Sequence, residues 1–537
     1  MSAMDSEAMG WHAESASGVV AAGGAEAVAA GVQMLSRGGN AADAAVATLL
    51  ALAITDYGNF AMGGEVPFII YDAASAQAKV LSGLGRSPLS PEAVDWYWAH
   101  GIPTDGDMKA APVPAAVDLC LTALRRFGTL SFAEAVGPTL ALLDRSGPAW
   151  YPLLSATLRR LIEAEAGAYG SREAGLQAAA DRFYRGDVAD DLEAYYIKKG
   201  GFLRRQDLAT HITLLEDPVT LSYRGYTICK CGPWTQGPFL LQALRLLESY
   251  DLKALGHLSP DYIHIVIEAI KLAMADRDAY YGDPAHVHVP LEQLLSDAYT
   301  VLRRPLIDLQ RASLEARPGD PYGMRPLLGG GVFRPLPGGT TTCVVADRWG
   351  NVVAATPSCN VFGNKGEGGA TGVTHGNRLR CLNTTAGHPN RLEPGKRPRI
   401  TLTPTLVLKD GAPVLAISVA GGDLQDQVTL NLLLDALEFG IPPEEAVRLP
   451  RFATEHHQNS FDPHPQRDKA FLLAGSLILN EAIVESTRTT LAGRGHAISV
   501  RSGPVGDPVI LQIDRAAGKL VAAGDPAAGR HAAGLPD

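Results

Sequence analysis

Pro337-Gly338-Gly339-Thr340-Thr341-Thr342-Cys343-Val344-Val345-Ala346-Asp347-Arg348-Trp349-Gly350-Asn351 changes texture in mid-run. Upstream, residues 318–339 are dense in Pro and Gly and lack a hydrophobic period, which reads as an exposed linker. Downstream, residues 341–346 and 351–356 carry strand formers on either side of Asp347-Arg348-Trp349-Gly350, a hairpin turn. A linker that runs straight into a buried strand opening on hydroxyls is what an enzyme needs if it makes its nucleophile by cutting its own backbone. The Thr340 hydroxyl would attack the Gly339 carbonyl, and an N-to-O acyl shift followed by hydrolysis would free a new Thr amine. That amine then serves as general base for the same hydroxyl. Gly339 has no side chain to hinder the strained peptide. Threonine runs also open strands for β-propensity alone, so the reading needs support from the rest of the chain.

Working outward, the first third is helix-rich. An Ala-dense segment at 26–37 is stopped by Gly38-Gly39 and followed at once by another at 42–54. Strand-like runs at 66–72 and 78–82 come next. Helical periodicity then holds from 115 to about 201 and returns at 261–281. Past the linker, β signals take over, with a pair at 403–408 and 413–420 around Lys409-Asp410-Gly411. A helix at 426–439 and a last hairpin flanking 514–519 follow. Helices first and sheets second, in one compact length, predict layered α and β rather than two independent folds.

Composition narrows the function classes. Across 537 residues the net charge is -10, with 46% hydrophobic and 19% charged residues and no dense Lys/Arg stripe, which argues against nucleic acid. The longest uncharged apolar run, 44–55, is well short of the roughly 20 residues a spanning helix needs, so no membrane partner is expected. The first 18 residues lack a basic stretch followed by an apolar core, and six cysteines in this length make no disulfide framework. A cytoplasmic protein with reduced thiols is expected. His456-His457-Gln458 and Asp462-Pro463-His464 lack a tight i,i+4 ligand spacing, so no metal is expected, nor any cofactor.

Support for the cut comes from motifs along the whole chain. They include Gly38-Gly39-Asn40-Ala41-Ala42-Asp43, Tyr223-Arg224-Gly225-Tyr226, Ala273-Met274-Ala275-Asp276-Arg277 and Gly282-Asp283-Pro284. After Thr340 come Lys396-Arg397-Pro398, Thr403-Pro404-Thr405, Gly421-Gly422, Pro450-Arg451-Phe452 and Gly524-Asp525-Pro526. In this order they resemble the γ-glutamyltransferase family of N-terminal-nucleophile (Ntn) hydrolases. The resemblance implies an α+β fold, a four-layer αββα sandwich formed by two chains from one precursor. Residues 1–339 would form the large segment and 340–537 the small catalytic one, associated as a heterodimer that is compatible with higher oligomers. It implies Thr340 as nucleophile, Ser358 as the helper hydroxyl, Asn360 as a substrate contact, and Gly421 and Gly422 as the oxyanion pair. Adjacent glycines suit that role, because they let backbone N–H groups approach a developing charge.

The sequence departs from the family where the substrate is held. By spacing, Cys381 stands where the family has the Asp that meets an α-ammonium, and Arg378 where it has Gln. No carboxylate lies in residues 373–381. Of the hydroxyl pair after Lys396-Arg397-Pro398 only Thr401 remains, and the carboxylate-binding Arg is matched by Arg86, about two positions late. Losing an acid and gaining cations favours an amide with an anionic acyl group, such as oxamate or a dicarboxylyl amide. The small-molecule alternatives are a conventional glutathione hydrolase/γ-glutamyl transferase and an inactive binding homologue.

Overall fold

The computed structural model describes residues 9–328, 339–359 and 368–536. Two seven-stranded sheets, antiparallel throughout, form its centre. One runs His12–Ser15, Lys519–Gly524, Asp507–Asp514, Ala412–Ala420, Thr405–Lys409, Tyr226–Lys230, Val219–Tyr223. The other runs His531–Gly534, Gly18–Ala22, Cys343–Asp347, Val352–Ala355, Val66–Asp72, Gln77–Gly83, Leu215–Glu216.

The period-two alternation of strands sorts side chains into three apolar layers. Val20, Ala22, Phe68, Ile70, Val345 and Val353 face the helices of the first third. Val19, Ala21, Ile69, Val344 and Ala354 face the opposite way, onto Cys229, Leu406, Ala416, Val509 and Leu511 of the other sheet. The outer face of that sheet, with Ile228, Val407, Ile417 and Ile510, packs on helices Pro238–Leu247, Pro260–Tyr280 and Gln425–Leu437. The order helix, sheet, sheet, helix is the αββα sandwich. Cys229 and Cys231 both lie in the layer between the sheets, and all six cysteines are buried and free.

The run 44–55 is the interior of helix Ala41–Thr55, whose residues through Ile54 are all buried. Among the described residues, no helix is long and apolar enough to cross a membrane. Asn40 caps this helix, accepting from the Ala42 and Asp43 N–H groups while Asp43 returns a bond to the Asn40 N–H. Asp347 then ties the same helix to the hairpin. Its carboxylate accepts from the N–H groups of Trp349 and Asn351 and, at 2.8 Å, from the Ala41 N–H.

The structure differs from the sequence reading at one strand boundary and in one missed sheet. The strand expected at 341 begins at Cys343, where the register with Gly18–Ala22 ends at the pair Ala22–Cys343, with one further bond from the Gly23 N–H to the Thr342 carbonyl at 3.3 Å. Thr341 bonds instead to the Pro357 carbonyl, at 2.9 Å. The reading also missed a small third sheet, Phe452–Ala453, Ser476–Asn480 and Ala497–Arg501, whose last two strands pair in parallel. Of the linker expected at 318–339, residues 329–338 lie outside the described residues.

Both sheets contain strands from before and after residue 339. Cys343–Asp347 pairs with Gly18–Ala22, and Thr405–Lys409 pairs with Tyr226–Lys230. A cut at 339/340 therefore leaves the two pieces hydrogen-bonded along central strands.

Candidate active site

Thr340 precedes a central strand of one sheet, and Gly421 follows Ala412–Ala420 of the other. Next to them the sheets are joined by hydroxyls: Thr356 Oγ1 and Ser418 Oγ lie 2.9 Å apart, and Ser418 donates to the Ala355 carbonyl at 2.8 Å. Thr340 is 4% exposed. A side chain on Gly339 would displace the Asn59 amide oxygen.

Ser358 Oγ donates to the Gly339 carbonyl oxygen at 2.6 Å. It accepts in turn from Arg378 Nη2 at 2.7 Å, and Arg378 Nε donates to Glu65 Oε1 at 2.6 Å. Glu65, Ser358 and Arg378 are at most 1% exposed. The chain brings them together by close backbone contact. Glu65 and Ser358 form an antiparallel bridge, Gly63 bridges His375, and a β-carbon on Gly64 would collide with the Ser358 carbonyl. Burial works against the Arg378 charge, but Glu65 and the Cys381 sulfur outweigh it and hold its pKa above the ordinary value. Burial pushes the Glu65 carboxyl up, against the pull of Arg378.

On the other side of the bond the group that meets Thr340 is a neutral amide. The Gln425 amide can be oriented two ways, and only one gives every atom a complementary partner. In it, Oε1 accepts from Thr340 Oγ1 at 3.1 Å and from the Gly422 N–H at 3.2 Å, while Nε2 donates to the carbonyls of Thr401 and Val419. Gly421 and Gly422 have φ of +142° and +62°, backbone that favours glycine, and a β-carbon on Gly422 would crowd the Phe461 ring. The Gly422 N–H is thus aimed beside the Thr340 hydroxyl. Behind it, Asp423 accepts from Arg277 at 2.6 Å and from the Ser460 N–H at 3.0 Å. Thr401 is fully buried, and its hydroxyl has no partner among the described residues.

Phe461 links this loop to the cations: Arg378 and Arg380 lie over its ring at 5.5 and 5.3 Å. Cys381 is buried beside Arg378, Arg380 and Arg399. Burial pushes its thiol up despite the three guanidiniums, so it is a neutral group. Arg399 is itself depressed to about 10 by burial and by Arg277. Arg86 is half-buried. Burial and Arg397 depress its pKa, Asp283 offsets this, and among the described residues its guanidinium makes no hydrogen bond.

Of the residues singled out from sequence, Gly339, Thr340, Ser358, Arg378, Thr401 and Gly422 belong to one bonded network. Gly421 shapes its turn. Arg86 is linked to Arg397 and Asp283 rather than to Thr340, and Asn360 lies outside the described residues. Sequence reasoning missed Glu65, Gln425 and Phe461. The Gly63-Gly64 pair before Glu65 was the available signal for the first.

A model of the gamma-glutamyltranspeptidase family matches residues 27–163 and 150–535. The chain belongs to the gamma-glutamyltranspeptidase family. It is 31% identical over 515 residues to the acylase ACY 1 proenzyme of Pseudomonas sp. (strain SE83), covering 89% of this chain and 86% of that one. It is 28% identical over 544 residues to the glutathione hydrolase proenzyme of Bacillus subtilis (strain 168), covering 94% and 89%. Among solved structures, LmbA2991HD superposes with a TM-score of 0.88 at 32% identity, over 97% of this chain and 99% of that one. The cephalosporin acylase from Bacillus halodurans superposes at 0.81 with 25% identity, over 98% and 97%. As a gamma-glutamyltranspeptidase-family member the chain is an Ntn hydrolase acting on C–N amide bonds.

Proposed function

We propose that the chain cleaves itself between Gly339 and Thr340 and then hydrolyses a small amide with an anionic acyl group, such as an oxamate or dicarboxylyl amide. In the first reaction Thr340 Oγ adds to the Gly339 carbonyl carbon. Negative charge gathers on the carbonyl oxygen, where Ser358 donates and Arg378 stands behind it. The hydroxyl proton passes to the amide nitrogen, the C–N bond breaks, and an ester to Oγ remains. Water hydrolyses the ester, leaving a Gly339 carboxylate and a free Thr340 amine. In the second reaction that amine takes the Oγ proton as Oγ attacks the substrate carbonyl, and the Gly422 N–H faces the oxyanion. The substrate nitrogen leaves with the proton, and the acyl ester goes to water, or to an amine acceptor in a transfer.

The observation that carries the substrate class is the neutral Cys381 thiol among Arg378, Arg380 and Arg399. A substrate ammonium there meets like charge, and among the described residues the nearby acid Glu65 is committed to Arg378. A charge-assisted contact is worth about 1.5–3 kcal/mol, so losing it alone lowers kcat/KM about ten- to a hundredfold. The acylase names among the relatives favour the same reading. The test is an amidase screen comparing glutathione with oxamate, succinyl and glutaryl amides. Better turnover of the anionic acyl amides is expected, with Cys381→Asp moving preference back toward glutathione. Efficient glutathione turnover by the unmodified protein would overturn the assignment.

A further inference from the structure

The Gln425 amide spends all of its hydrogen-bonding capacity inside the site. It is the first residue of helix Gln425–Leu437 and is 1% exposed. Its two N–H bonds go to the carbonyls of Val419, at 3.2 Å, and Thr401, at 3.1 Å, so its oxygen faces Thr340 and Gly422. An amide has two donors and one acceptor oxygen with two lone pairs. Here every one is used, and the group cannot turn without leaving buried partners unpaired.

We propose that Gln425 is a positioning residue that orients the Thr340 nucleophile and sets its distance from the Gly422 oxyanion donor. A threonine hydroxyl has one proton and two lone pairs. With the resting hydroxyl directed at Oε1, its lone pairs are left for the carbonyl to be attacked, and the proton leaves Oε1 for the nitrogen that takes it as Oγ adds. The same oxygen holds the Gly422 N–H, so nucleophile and oxyanion donor are gauged from one atom. Glutamine suits this place where glutamate does not. A carboxylate accepts only, and it would face the Val419 and Thr401 carbonyls without a proton to give either.

The inference rests on Thr340 being the nucleophile, which Thr340→Ala tests separately: if that variant is still cut and active, the nucleophile assignment itself falls. Gln425 is read in two variants, Gln425→Met and Gln425→Glu. Each is followed for conversion of precursor to two chains on a denaturing gel. Each is also followed for kcat and KM on a glutaryl anilide, with the melting temperature in parallel. Gln425→Met keeps length and apolar volume but no polar atoms. It is expected to slow conversion and lower kcat by on the order of 10- to 100-fold, as small misplacements of reacting groups do, with KM within about twofold. Gln425→Glu is expected to be slow near neutrality and to recover relative to wild type as pH falls. A protonated carboxyl has the amide's shape, accepts from Thr340 and donates to one carbonyl. Gln425→Met is expected to show no such recovery. Wild-type conversion and kcat in Gln425→Met would overturn the proposal. So would a Gln425→Glu pH profile, relative to wild type, that merely follows its melting temperature. If Gln425→Met does not fold, the acid recovery of Gln425→Glu decides alone.

Discussion

On the carbonyl side of the Gly339–Thr340 bond, a buried ion pair, Glu65 with Arg378, stands behind the Ser358 hydroxyl. On the nucleophile side the Thr340 hydroxyl meets a neutral amide, that of Gln425, which also holds the Gly422 N–H and the carbonyl of Thr401, a residue whose own hydroxyl is unspent among the described residues. Each side matches what the proposed self-cleavage and turnover require there. The carbonyl oxygen gains negative charge as Oγ adds, and a donor backed by a cation stabilises it more than a neutral donor would. The threonine hydroxyl has to lose its proton, and a full positive charge beside it would oppose the ammonium that forms when the new amine takes that proton. The ion pair reached through a single hydroxyl thus lies on the side where charge develops first, while on the other side the pairs Arg277–Asp423 and Lys230–Asp426 stand behind the neutral amide.

The largest break in this comparison is loss of the hydroxyl common to both sides. Thr340→Ala is expected to remain a single band on a denaturing gel and to show no turnover. Thr340→Ser is expected to retain part of both, because the hydroxyl survives. In cleaved wild-type protein, N-terminal sequencing of the smaller piece should read Thr-Thr-Thr-Cys. A start at Thr341 or Thr342 would move the nucleophile off the network described above.

A smaller effect separates charge from packing on the carbonyl side. Arg378→Met leaves Glu65 buried without its partner, and breaking a buried pair from one end costs about 3–5 kcal/mol. Replacing both ends, as in Glu65→Leu with Arg378→Met, removes the unpaired charge, so most of that loss is expected to return in the melting temperature. Self-cleavage is not expected to return with it, because Ser358 has lost the donor that directs its proton at Gly339. A double variant that is stable and cleaves at the wild-type rate would show that the pair serves only the fold.

The same contrast governs how much was legible in the sequence. The alternation in 341–346, the Asp347–Gly350 turn and the Ala-dense helices are local patterns, and they fix strands and helices within a residue or two of their observed ends. Thr340 and Ser358 lie 18 positions apart across one hairpin, and Gly421-Gly422 is conspicuous in itself. The partners were not legible. Arg378, read within 373–381, has no acid beside it. Its carboxylate comes from a residue 313 positions earlier, delivered by a backbone bridge that only the folded sandwich creates. Gln425 opens a helix, where a polar residue is ordinary, and nothing in its spacing announces four bonds into the site. Charge matching depends on tertiary contact, so the cationic loop read from sequence is more nearly neutral at Arg378 than its own segment implies.

The two sides also answer acid in opposite directions. His375 belongs to the carbonyl side, on the segment that bridges Gly63 and leads to Arg378. Its Nε2 lies 2.7 Å from the Tyr196 hydroxyl, and burial depresses it from 6.5 to about 4. A depressed folded value means that its contribution to stability is complete above pH 6.5 and is lost progressively as pH falls toward 4. The gap is worth on the order of 3 kcal/mol at the acid end. Asp426, next to Gln425, behaves in reverse. Burial raises its carboxyl to about 6, outweighing the pull of Lys230 at 2.7 Å. A raised folded value means that its contribution is complete below about 3.8 and is lost as pH rises through 6. His375→Asn, which cannot take up the proton, is therefore expected to flatten the fall in melting temperature between pH 7 and 4.5. Asp426→Asn is expected to steepen it, by removing the group that gains on acidification. Melting curves at half-unit pH steps on the Thr340→Ala background, where no cleavage complicates the transition, measure both. Slopes that change in the same direction for both variants would mean that the two sides do not titrate independently.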